Sequence, residues 1–227
     1  MAHRRITFPS RGTLKIELEG IYHYVDGLGP WPAAIVAHPH PLYGGTMNNN
    51  VVLAIARALA GRGVLALRFN FRGVMASMGD YDQGRGEQDD VAGALDWLQA
   101  QPEVDGRRLA VVGYSFGAWV ALAEAVADAR VTAAAAVGMV AWRFDGDPEE
   151  PVDGRVQFAA GYLQSLTCPK LFIAGERDVI APPTTLRTLV DHLMPPKELH
   201  ILRGADHSFQ GHEQRIGEIV TDWFAHF

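Results

Sequence analysis

Cysteine is nearly absent from this chain of 227 residues. The single one, Cys168, excludes an internal disulfide, so the fold must hold by packing, and the composition suits a reducing compartment. Excess positive charge is also missing. Twenty Lys and Arg against 26 Asp and Glu give a formal net charge of -6, without a basic run or stripe, which argues against a phosphate-backbone binder. Long hydrophobic runs are lacking. The longest, Val131 through Trp142, is well short of a membrane span, and after Arg4 and Arg5 the short run Ile6–Phe8 stops at Pro9, unlike a signal peptide. There is no internal repeat and no low-complexity tract. The expectation is a cytoplasmic protein with neither nucleic acid nor membrane as partner; a homodimer stays open.

What is present is ordinary globular composition, 48% hydrophobic and 20% charged, over a length that suits one domain spanning 1–227. A chain of this size buries enough surface to need no structural metal. Thr13–Val25 alternates and is rich in β-branched and aromatic residues, which predicts one or two antiparallel strands. Six short, mostly apolar runs follow: Ala33–Ala37, Val64–Phe69, Leu109–Val112, Ala133–Val140, Leu171–Ala174 and Glu198–Leu202. Runs of that kind mark strands covered on both faces of a parallel sheet. Helical patterns lie between them at Asn49–Gly61, Glu87–Gln101, Phe116–Ala129, Thr184–Leu193 and Glu213–Phe227. The alternation predicts an α/β fold, a mostly parallel sheet with helices on both faces and antiparallel strands at its start. The region from about 141 to 168, rich in Asp, Glu, Pro and Gly, breaks the pattern. It reads as a short lid-like insertion over the sheet, with one short helix near Val156–Leu166, rather than a second domain.

The chemistry concentrates in Gly113-Tyr114-Ser115-Phe116-Gly117, a Gly-x-Ser-x-Gly between a buried strand and a helix. A serine on so sharp a turn is held in a strained conformation, and flanking glycines let strand and helix approach. The turn lifts the hydroxyl above the sheet, with the helix N-terminus and the Phe116 N–H facing the place where an oxyanion develops. Serine needs a base, and the base an orienting acid. After the run ending at Ala174 come Glu176 and Asp178; after the run ending at Leu202 come Asp206, His207 and His212. Asp178 lies deeper in its loop than Glu176, which is the fallback, and His207 falls just past its strand. His212 is placed to begin the last helix in a solvated or capping role.

The segments "AHPHPLYGGTMNNN", "LRFNFRGVMAS", "GYSFGAW", "AGERDVIAP" and "GADHSF" resemble, in family order, the α/β-hydrolase superfamily, and within it the small bacterial dienelactone-hydrolase-like hydrolases. The resemblance covers nearly the whole chain and implies Ser115, Asp178 and His207 as a catalytic triad. It departs from true dienelactone hydrolases in having Ser115 where they use cysteine. In such hydrolases the loop after the strand preceding the first helix supplies a second oxyanion donor. Here that loop is His38-Pro39-His40-Pro41-Leu42. The prolines have no N–H to give, which leaves His40, with Leu42 as fallback.

The same His-x-His admits a metal reading, in which His38 and His40 join Asp178 and His207 as ligands. That reading leaves Gly-x-Ser-x-Gly unexplained, and proline on both sides of His40 ends the strand on which the two would share a face. No metal and no cofactor are therefore expected. The further rival is a non-catalytic scaffold on the same fold. Tyr43, Trp142 and Phe144 are candidates to line the acyl pocket. Arg72 and Gly73 are read as a pocket rim or a surface turn, Asp89 and Asp90 as charges on a helix N-terminus, and Cys168 as a small core residue. The function expected is a serine hydrolase, carboxylesterase-like, cleaving an ester or thioester of a small-molecule acyl substrate through an acyl-enzyme.

Overall fold

The computed structural model describes residues 2–25, 27, 29–140 and 160–226. Eight strands among these residues form one sheet: β1 Ala2–Pro9, β2 Glu17–Tyr24, β3 Trp31–Ala37, β4 Leu65–Phe69, β5 Val104–Tyr114, β6 Val131–Val137, β7 Lys170–Gly175 and β8 Lys197–Leu202. They lie in the order β1-β2-β4-β3-β5-β6-β7-β8. β1 pairs antiparallel with β2, and β2 antiparallel with β4; every later pairing is parallel. Among the described residues five α-helices complete it: α1 Asn50–Gly61, α2 Arg85–Gln99, α3 Phe116–Ala127, α4 Pro183–His192 and α5 Glu213–Phe224. None of the described helices is long and apolar enough to cross a membrane.

Apart from Arg68 of β4 and Lys170 of β7, the central strands are apolar on both sides and divide their residues between two cores. On one face Ile35, Leu67, Val111 and Ala134 pack with Val91, Leu95 and Leu98 of α2, with α3 and with Leu186 and Leu189 of α4. On the other, Val36, Ala66, Val112 and Ala135 pack with Ile55 and Leu59 of α1 and Ile216 and Val220 of α5. Period-two side-chain alternation sends neighbours to opposite faces, so an unbroken apolar run is what a strand covered on both sides requires. The antiparallel start leaves all six parallel strands, β4, β3, β5, β6, β7 and β8, with their C-terminal ends along one edge. In open α/β sheets, ligands bind outside that edge.

Three elements differ from the sequence expectation. β1 has no counterpart in it, because this edge strand buries only Phe8 and shows no apolar run. β5 begins at Val104, since Asp105–Arg108 continue the strand as polar residues before the buried part. The short helix is a 3-10 segment, Ala160–Ser165; the rest of the expected insertion, 141–159, lies outside the described residues, and Trp142 and Phe144 with it.

Candidate active site

Ser115 joins β5 to α3 with φ 55° and ψ -117°, outside the regions that L-residues favour. Its N–H donates to the Val137 carbonyl at 2.8 Å, fixing the turn to β6. A side chain at Gly113 would overlap the carbonyl of Gly117, and one at Gly117 would overlap those of Ala37 and His38. Both glycines are therefore required by close approach, and together they press the serine turn against the end of β3.

His207 comes from the loop after β8. Its Nε2 lies 3.0 Å from the Ser115 hydroxyl, and its Nδ1 2.8 Å from Oδ2 of Asp178, which follows β7. The second carboxylate oxygen, Oδ1, accepts the N–H groups of Ile180 at 2.9 Å and Ala181 at 2.7 Å. A carboxylate held on both oxygens has one orientation left, and it faces the imidazole. Ser115 and Asp178 are buried, while His207 is the most open of the three. The loop carrying His207 is anchored as well. Tyr114 donates its hydroxyl to the His207 carbonyl at 2.6 Å, and burial pushes that phenol up to about 12, so it keeps its proton. Phe209, fully buried with φ 52°, packs edge-on against the Tyr114 ring. A bulky residue in that backbone region persists only where its surroundings hold it.

The fallback acid, Glu176, points elsewhere: it accepts from the Gly204 N–H at 2.8 Å. His212 directly precedes α5, but its side chain makes no capping hydrogen bond.

His38 and His40 separate in role. His38 is fully buried; Nδ1 donates to the Pro39 carbonyl at 2.6 Å and Nε2 accepts the Phe71 N–H at 3.0 Å. Burial pushes its pKa down to about 4. His40 heads the 3-10 turn Pro41–Tyr43; its Nδ1 accepts the Leu42 N–H at 3.2 Å, and its Nε2 meets the Tyr81 hydroxyl at 3.2 Å. All four ring nitrogens are engaged with the protein, so neither histidine offers a lone pair to a metal. The N–H of Leu42, the fallback oxyanion donor, is likewise taken by the His40 ring. Phe116 occupies the first position of α3, where backbone N–H groups point out of the helix end.

Other expectations are corrected. Asp90 does not serve as a charge on the helix N-terminus: it is fully buried and grips the Arg72 guanidinium at 2.8 Å while accepting the Arg72 N–H at 2.9 Å. Arg72 is thus buried too, as the anchor of a turn whose Gly73 is exposed. Tyr43 lies on the His40 ring, with centroids 4.7 Å apart, and is 83% exposed. Tyr81 escaped sequence reasoning because 41 positions separate it from His40. Tyr114 carried a signal, as the first variable residue of Gly-x-Ser-x-Gly.

Residues 33–222 match the family described as Alpha/beta hydrolase domain. The chain belongs to that family. An uncharacterized protein of Rickettsia prowazekii (strain Madrid E) is 32% identical over 197 residues, covering 85% of this chain and 78% of its own. An alpha-beta serine hydrolase homologue from Coxiella burnetii has a TM-score of 0.80 at 30% identity and covers 96% of each chain. A protein from Xanthomonas campestris described as an a/b serine hydrolase without lid has a TM-score of 0.76 at 29% identity, covering 98% of this chain and 95% of its own. The hydrolase fold and these relatives support hydrolase activity.

Proposed function

We propose that the protein is a serine hydrolase that cleaves an ester or thioester through an acyl-enzyme. The observation that carries this reading is the continuous hydrogen-bonded line from Ser115 through His207 to Asp178. His207 takes the serine proton as Oγ attacks the acyl carbonyl, and Asp178 holds the Nδ1–H tautomer and stabilises the imidazolium. The N–H groups of Phe116 and His40 receive the oxyanion, each worth about 3 kcal/mol in such sites. The tetrahedral intermediate expels the alcohol or thiol, which receives its proton from His207. Water, deprotonated by His207, then attacks the acyl-serine, and collapse releases the acid and restores the Oγ–H.

A small-molecule acyl substrate fits the site edge. Exposed Leu42 and Tyr43 follow β3, and exposed Val179 and Ile180 follow β7, so apolar surface lies on both sides of the Ser115 turn. Hydrolysis of p-nitrophenyl acetate, butyrate and octanoate tests the proposal. Turnover is expected to survive EDTA and to fall by at least ~10³-fold in Ser115→Ala and in His207→Ala. Activity that persists in Ser115→Ala, or disappears with EDTA, would sink it.

A further inference from the structure

The loop that carries His40 is clamped at its far end from inside the sheet. Arg68 of β4 donates to the Met47 carbonyl at 2.9 Å and to Asn48 Oδ1 at 2.7 Å, and Asn70 Oδ1 accepts the Met47 N–H at 2.7 Å. At the near end the buried His38 ring holds Pro39, donating to its carbonyl at 2.6 Å and accepting the Phe71 N–H at 3.0 Å. Beyond it the His40 carbonyl accepts the N–H groups of Tyr43 and Gly45, each at 3.1 Å, and the His40 side chain adds the closing bond, its Nδ1 accepting the Leu42 N–H.

That arrangement sets the tautomer. An imidazole nitrogen that accepts a hydrogen bond carries no proton, so the neutral His40 ring carries its hydrogen on Nε2. The group facing Nε2 is the Tyr81 hydroxyl, which therefore accepts. Burial lowers the His40 pKa and keeps the ring neutral. The ring also packs on Tyr81 and Phe116, with centroids at 5.1 and 4.8 Å. One imidazole thus touches the residue at the head of α3 and braces the loop opposite it.

Tyr81 itself stands on a fixed platform. It lies in the connection from β4 to α2, where the fully buried Glu87 accepts the N–H groups of Asp82 at 2.9 Å and Gly84 at 2.7 Å. Gly73 closes on the Met78 carbonyl at 3.1 Å, and the Arg72–Asp90 pair ties the same connection to α2. A hydroxyl presented from so constrained a segment defines a position for whatever it binds.

We propose that Tyr81 is a positioning residue for the reaction of Ser115: by accepting the His40 Nε2–H it holds the imidazole that closes the turn on Leu42 and so aims the His40 backbone N–H at the oxyanion. The inference rests on the serine-hydrolase reading. Tyr81 touches no reacting atom in this scheme. Its effect belongs to the transition state, where the oxyanion exists, and not to substrate binding.

The test is a double-mutant cycle of Tyr81→Phe with His40→Asn. Phenylalanine keeps the ring packing and removes only the hydroxyl. Asparagine keeps an acceptor for the N–H two residues on, as Asx turns do, but cannot reach Tyr81. In the wild-type background Tyr81→Phe is expected to lower kcat about tenfold with KM nearly unchanged. Affinity for a trifluoromethyl ketone should fall by the same factor, with an unchanged Tm. In His40→Asn, the same substitution should have no further effect. Nitrogen-15 NMR of the His40 ring should show Nε2–H in the wild type and a tautomer mixture in Tyr81→Phe. Wild-type kcat in Tyr81→Phe, or an equal loss in both backgrounds, would overturn this proposal alone, as would an Nδ1–H ring in the wild type. Turnover that ignores Ser115→Ala would instead remove the reading beneath it.

Discussion

Asp178 owes its place to two backbone N–H groups as much as to its histidine. With Oδ1 held by Ile180 and Ala181, Oδ2 is left to face Nδ1 of His207. Asp178→Asn keeps the oxygen side of this arrangement but turns an NH2 group towards the imidazole. The ring must then accept at Nδ1 and carry its proton on Nε2, where it cannot deprotonate serine. The expected loss in kcat is on the order of 10³–10⁴, measured on the same p-nitrophenyl esters; Glu176→Gln should leave turnover close to wild type. Equal losses in both variants would mean the acid has been misassigned. In sequence both carboxylates were candidates, because each follows the same buried run. Which of them meets His207 depends on how the loop folds back on its own N–H groups. His40 and Tyr81 mark the other limit: each residue was visible, but a contact spanning two loops has no spacing to betray it.

At the scale of elements, the connection from β4 to α2 is the least legible part of the fold. A sequence such as "FRGVMASMGDYDQG" reads as a loop with an arginine near its start, and only the packing shows that Arg72 is buried against Asp90. Removing one partner of a buried pair strands the other charge and typically costs about 3–5 kcal/mol. Arg72→Met and Asp90→Leu should each lower stability by about that amount in chemical denaturation, and the double variant should recover a substantial part. Single losses below about 1 kcal/mol, or strictly additive ones, would contradict the clamp. The parallel strands were legible because burial on both faces demands continuous apolar runs. β1 was not, since an edge strand paired on one side, with exposed Arg4 and Arg5, needs no apolar pattern and gains from charge that discourages further pairing.

Over the whole molecule, ionic contacts distant in sequence hold the β1–β2 hairpin to the helices. Arg11 reaches Asp96 of α2, and Glu124 and Asp128 at the end of α3, at 2.6, 3.1 and 3.1 Å. Glu124 is buried, and burial outweighs its arginine, pushing the carboxyl from 4.5 up to about 7. Asp128 goes the opposite way, held below the usual carboxylate range chiefly by its hydrogen bond to Arg130. A raised folded-state pKa means that the native form holds the proton more tightly. Glu124 therefore contributes stability that is complete below about 4.5 and lost as pH rises through about 7. Relative to Glu124→Gln, which cannot ionise, the wild type should lose on the order of 2 kcal/mol between about pH 5 and pH 8. Thermal unfolding of both proteins across that range measures it, and parallel curves would contradict it. Formal charge totals do not reveal such a network, because its acids lie 85 to 117 positions from Arg11.

The central claim is that Ser115 is a nucleophile made reactive by His207. The most direct measurement is covalent labelling by a fluorophosphonate, read by intact mass and peptide mapping. A single adduct on Ser115 is predicted, absent in Ser115→Ala and strongly slowed in His207→Ala. No adduct on Ser115, or labelling as fast without His207 as with it, would contradict the account.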